Sequence, residues 1–203
     1  MNRGTTAGFG PYEIALVRGG PDAAVTVAVL ALHLRGAADA GRPGTIRATE
    51  PDTAAGQSPP LPPLAEAVLA SLAEPAALRE LAKRPKVRAA VAALRAGLAE
   101  AGLLRRRLPG PTRAARRRVR ELGERHPLPA SRLGLTEDDK LLAAALHGEA
   151  ALRVLAPRFA LRAGLTERVD LADKGLPKHS RSAGSGIGGY SCNGGYSCGG
   201  GVG

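Results

Sequence analysis

The chain has 203 residues and a net charge of +11, with 44% hydrophobic but only 2% aromatic residues. With no tryptophan and only Phe9 and Phe159 as phenylalanines, an aromatic-stacked core is excluded, and packing must rest on Ala, Leu and Val. The charge is local: 105–127 holds nine arginines against Glu121 and Glu124, which points to a focused basic patch facing phosphate-rich or acidic partners.

Residues 1–10 carry no apolar run of the secretory type. Pro11 follows Gly10, Glu13 sits in the first turn, and Ile14 and Val17 extend a short apolar face that Gly19-Gly20 should end. Pro21-Asp22 then opens a second helix running to about Arg35 and stopped by Gly36. The longest apolar stretch, 23–34, includes Thr26 and His33 and falls short of the ~20 residues that cross a bilayer. The expectation is therefore no transmembrane segment and a cytoplasmic, reducing location, with peripheral association with a membrane complex as the alternative. Thr45-Ile46-Arg47 reads as a short strand, completing an N-terminal helical, degenerate winged-helix-like unit over 10–49. Residues 50–63 are a proline-rich linker.

A winged-helix-like unit with an arginine-rich arm is expected over 64–126. Leu64, Val68, Leu69 and Leu72 mark its first helix, Pro75 opens a second through Leu78 and Leu81, and Pro85 begins a third. In that third helix Val87, Val91, Leu94 and Leu98 recur with helical period. Gly102 ends it, Leu103-Leu104 leads into Arg105-Arg106-Arg107, and Pro109-Gly110-Pro111 turns the chain, in the order of a third helix followed by a wing. Arg113, Arg116, Arg117 and Arg120 then line one side of a helix whose other side is Ala115, Val119 and Leu122. A C-terminal helical pair follows over 127–165. Thr136 and Asp139 have capping-box spacing before Leu141, Leu142, Ala145 and Leu146, and a last helix from Glu149 is interrupted at Pro157. Residues 174–203 read as a disordered Gly/Tyr/Ser/Cys tail, because glycine-rich sequence cannot bury enough apolar surface to offset its ordering entropy. The fold class is all-α with minor β, built from winged-helix-like helical units and ended by this tail.

The run Gly10-Pro11-Tyr12-Glu13-Ile14-Ala15-Leu16-Val17-Arg18-Gly19-Gly20-Pro21 resembles the opening of an uncharacterised actinobacterial family with a Pro-Tyr-Glu…Arg-Gly-Gly-Pro helical region. Ala101-Gly102-Leu103-Leu104 and Ala145-Leu146-His147-Gly148 are similar to later landmarks of that family, and many members also end in a Gly/Cys-rich tail. Members are often labelled membrane proteins because longer ones carry transmembrane segments. The resemblance implies no activity.

Two places carry candidate chemistry. The tail repeats one unit, Gly-Gly-Tyr-Ser-Cys, at 188–192 and 194–198, which holds both cysteines of the chain, Cys192 and Cys198. Four readings stand side by side: a reversible disulfide, modification of Ser191, Cys192, Ser197 and Cys198, a metal site joined by His179, or an appendage with no single role. The spacing is not that of a metal knuckle, and no metal or cofactor is expected. The arginine patch, Arg105, Arg106, Arg107, Arg113, Arg116, Arg117 and Arg120, suits nucleic-acid phosphates. Arg88 and Arg95 on the preceding helix come with no Asn, Gln or aromatic residue for reading bases. No phosphate loop, dinucleotide fingerprint, nucleophile elbow or zinc-protease pair is present, so no enzyme is expected. The functional expectation is a non-enzymatic interaction or scaffold protein that presents its Cys-bearing tail to a protein partner. The alternative is a weakly sequence-specific DNA-associated regulator acting through the arginines.

Overall fold

The computed structural model describes residues 9–49, 60–105 and 110–166. The chain divides after Arg168, and the expected tail, with Cys192 and Cys198, lies outside the described residues, as do Arg106 and Arg107. Among the described residues, α-helices dominate and one two-stranded antiparallel sheet supplies the minor β component.

Helix α1 (Pro11–Leu34) is the hub, packing against five later helices and the sheet. Pro11 occupies its first turn, where a missing N–H costs nothing, and Glu13 faces the positive end of the helix dipole. The break expected at Gly19-Gly20 is present: Gly20 has φ 76° and ψ −163°, a conformation open to glycine, and Pro21 restarts the helix. The break turns the chain back on itself. In a straight helix Tyr12 and Arg35 would stand roughly 35 Å apart, yet the Arg35 charge acts on the Tyr12 phenol.

By length and composition α1 reaches what a bilayer crossing requires, with a mean hydropathy of 1.5 over its most apolar window. Gly20 splits it into 11–19 and 21–34, and its apolarity serves the core. Ala24, Val25, Val27, Ala28, Val29, Leu30, Ala31 and Leu32 are buried, so this segment is covered on nearly every side, as a central core helix is.

Strands β1 (Ala38–Ala40) and β2 (Ile46–Ala48) pair with Ala38 opposite Ala48 and Ala40 opposite Ile46. The strand expected at 45–47 thus sits one residue later. Helix α2 (Pro63–Leu69) buries Leu64, Ala65 and Val68. Pro75 does not open the next helix. Ala76 first exchanges two backbone hydrogen bonds with Ile46, at 2.9 and 3.0 Å, adding to the sheet edge, and α3 (Leu78–Leu81) begins only after that bridge. Sheet pairing at Ile46 is a tertiary demand that overrides the helix-starting preference of proline. Pro85 does open α4 (Pro85–Glu100), which buries Val87, Val91 and Leu98. Beyond it the chain pairs with itself at Leu104 and Pro111: Arg105 N–H donates to Gly110 at 3.2 Å and Thr112 N–H to Leu103 at 3.0 Å.

Helix α5 (Arg113–Arg125) is capped by the Thr112 hydroxyl, which accepts from Ala115 N–H at 3.2 Å. Helix α6 (Glu137–His147) has the expected capping box of Thr136 and Asp139. Helices α7 (Glu149–Leu155) and α8 (Pro157–Arg162) are separated at Pro157, also as expected. Residues from 10–49, 64–126 and 127–165 all contribute to one core, because α1 carries more apolar surface than its own stretch can cover.

Two arginines at the breaks of α1 hold α6 along it. Arg35 Nε donates to the Glu137 carboxylate at 2.7 Å at the start of α6, and Arg18 Nε donates to the Ala145 carbonyl at 2.7 Å near its end. Cations are favourable at a helix C-terminus, where carbonyls lack partners. Gly148, at φ 58° and ψ −125°, makes room: a Cβ there would overlap the Arg18 guanidinium. Gly148→Ala therefore combines backbone strain with displacement of Arg18 and should lower stability by about 2 kcal/mol, or roughly 4–8 °C in Tm. Thermal unfolding followed by circular dichroism measures it, and an unchanged Tm would refute the account.

Tyr12 is buried in this hub, and burial is the main cause that pushes its phenol up to about 12, with Glu137, Glu13 and Asp138 adding and Arg35 opposing. The folded chain resists ionisation that the unfolded chain accepts near pH 10. Stability is therefore full below pH 10 and is lost as pH rises toward 12. Between pH 9 and 11 wild type should lose about 1.4 kcal/mol relative to Tyr12→Phe in urea titrations. A difference between the two proteins that stays constant with pH would contradict this.

Candidate anion-binding groove

The break in α1 leaves a hollow that α4, α5 and the Leu104–Pro111 pairing complete. It is a groove of about 590 Å³. Its floor is apolar, formed by Leu16, Val17, Pro21, Leu104, Pro111 and Val119, and its rim carries Arg18, Arg95, Arg116 and Arg120. Local sequence accounts for each contribution. Arg116 and Arg120 are four apart on α5 and so share a face, while Val119 between them turns inward. Arg95 is exposed on α4, on the side away from Val87, Val91 and Leu98. Arg18 reaches the groove because the chain stops being helical two residues later.

No carboxylate lines the groove, and none of its four arginines has an ion-pair partner among the described residues. Like charges gathered on one concave rim repel one another. A cluster of this kind is therefore relieved by an incoming anion. Arg18 is exposed along its flank, but its guanidinium is crowded enough that desolvation lowers its pKa. It remains a cation at any physiological pH, since guanidinium loses its proton only far above neutrality.

The structure divides the expected arginine patch. Arg116 and Arg120 enter the groove. Arg105 lies beside it, lining with Arg95 and the alanines of α4 a shallower hollow that shares Leu104 and Gly110 with the groove. Arg113 is exposed on α5 outside the groove, and Arg117 is exposed and paired with Glu121 at 2.8 Å. Such an exposed pair contributes little to stability. Sequence reasoning missed two cations. Arg118 stands over the buried Phe9 ring, 5.2 Å from its centroid, and so fixes the start of the described chain to α5. Arg18 is the other, and its signal was an arginine directly ahead of a glycine pair. Arg88 is exposed on α4 without entering the groove. Among the described residues no three His, Cys, Asp or Glu side chains gather in a way that could hold a metal ion, while Cys192, Cys198 and His179 fall outside those residues.

Comparison of the chain with protein-family models, with curated protein sequences and with solved structures finds no match.

Proposed function

We propose that this protein is a non-enzymatic interaction protein that docks an acidic segment of a partner protein in the arginine-rimmed groove and presents the Cys192/Cys198 repeat within that complex. The observation that carries this reading is the pairing of an apolar floor with a rim of four arginines and no carboxylate. A nucleic-acid backbone offers phosphates but no apolar side chains to fill such a floor, whereas an acidic peptide with one or two leucines satisfies both. The order α2, α3, α4 and then the Leu104–Pro111 pairing supports a winged-helix-like arrangement, with that pairing as the base of the wing and the groove along its flank. A weakly sequence-specific nucleic-acid contact is the second reading, favoured by Arg113, Arg116, Arg117 and Arg120 standing exposed on one helix. A cytoplasmic location belongs to the same proposal.

A fluorescent Glu/Leu-rich amphipathic peptide and a random 20-base-pair duplex serve as probes, followed by anisotropy across a salt series. The peptide should bind saturably, and Arg116→Glu with Arg120→Glu should weaken it at least ten-fold, since both residues are exposed and their replacement spares the core. Binding of the duplex alone, with affinity falling steeply with salt, would replace this reading with the nucleic-acid one. For the tail, mass spectrometry of protein from its native host should find Cys192 and Cys198 bridged, modified or ligated in at least one growth condition. Free thiols throughout would defeat the presentation role.

A further inference from the structure

A second cleft, of about 1000 Å³, shares no lining residue with the groove. It forms where the end of α1, β1, the loop before α6 and helix α8 meet. Four cations, Arg132, Lys140, Arg158 and Arg162, converge on it, and none has an ion-pair partner among the described residues. The single carboxylate lining it is Asp39, which is already engaged. It accepts from Ala40 N–H at 2.7 Å and lies 3.8 Å from His33 Nδ1.

The walls are set by packing. The His33 ring stacks on Phe159 with centroids 3.8 Å apart and planes 5° apart, and Phe159 is buried. His33 Nδ1 lies 3.2 Å from the Ala38 carbonyl, which can only accept, so that nitrogen carries the proton and the ring is held in place. Helix α8 is pinned to the turn of the β-hairpin: Gly44 N–H donates to the Arg162 carbonyl at 2.8 Å. Arg158 and Arg162, four apart, therefore present their guanidinium groups from a fixed helix. At the lip Leu133 is 83% exposed, an unusual position for a leucine.

We infer that this cleft binds a phosphate-bearing ligand, with Arg158, Arg162, Arg132 and Lys140 holding the anion. Guanidinium groups match phosphate geometry through paired N–H donors, and a preset wall lowers the entropic cost of binding. Leu133 and the buried Phe159 wall suit a ligand that also carries an apolar portion. The shared chemistry is the phosphate, free in solution or carried on a lipid headgroup.

Inorganic pyrophosphate titrated by calorimetry tests the free form, and vesicles of phosphatidylglycerol against pure phosphatidylcholine test the lipid-borne one. Saturable binding in either arm is expected, weakened at least ten-fold by Arg158→Ala with Arg162→Ala. Both side chains are exposed, so the double variant should fold, which circular dichroism confirms. Arg79→Ala with Arg88→Ala, two exposed cations that line neither the groove nor the cleft, should leave the affinity within two-fold of wild type. Binding to pyrophosphate assigns a soluble ligand, and binding to anionic vesicles alone assigns a lipid headgroup. Failure of both arms, or equal loss in the Arg79→Ala, Arg88→Ala variant, overturns the inference while leaving the groove reading intact.

Discussion

The attachment of α6 to α1 through two arginines is the constraint from which the rest of the architecture follows. Arg35 meets the start of α6 through Glu137, and Arg18 meets its end through the Ala145 carbonyl. The two cations differ in chemistry. One forms an ion pair, and the other satisfies a carbonyl that the helix itself leaves unpaired. Together they set α6 along the folded-back α1, so that a helix buried on nearly all sides has a partner over its length. Residues 18–21 and 145–148 meet at the second of these contacts. Arginine, glycine break and proline restart on one side, and a glycine with no room for a Cβ on the other, form one steric and electrostatic unit.

Both candidate sites are consequences of the same helix. The break at Gly20 opens the hollow whose rim carries Arg18, and the far end of α1 delivers His33 and Leu34 to the second cleft. The later helices add cations to each: α4 and α5 to the groove, α6, α8 and the loop before α6 to the cleft. In neither place do carboxylates balance them. A protein with 29 basic and 18 acidic side chains has an excess to place, and an exposed helix face would hold it at little cost. Here part of that excess converges in concave surface instead, where fields are focused and an anion gains the most.

Much of the local structure was legible in the residues. The breaks at Gly20 and Pro157, the capping box at Thr136 and Asp139, and the start of α4 at Pro85 all depend on neighbours within one turn. The misplaced helix start, at Pro75, fell where Ala76 is claimed by Ile46, thirty residues earlier in the chain. The arginine patch was legible as a run on one helix, but its division was not. Arg116 and Arg120 share a groove with Arg18 and Arg95, while Arg117 closes on Glu121, and nothing in the spacing of α5 alone separates these fates.

What the amino-acid order determined by itself is what short-range physics controls: helical periodicity, proline and glycine boundaries, the caps and the clustering of charge along 105–127. Tertiary structure alone decided that 10–49, 64–126 and 127–165 share one core, that an apolar helix folds back within it, and which cations converge. The reason is reach. A cap or a break is settled within four residues, whereas the Arg18–Ala145 contact joins positions 127 residues apart and exists only once α1 and α6 have packed.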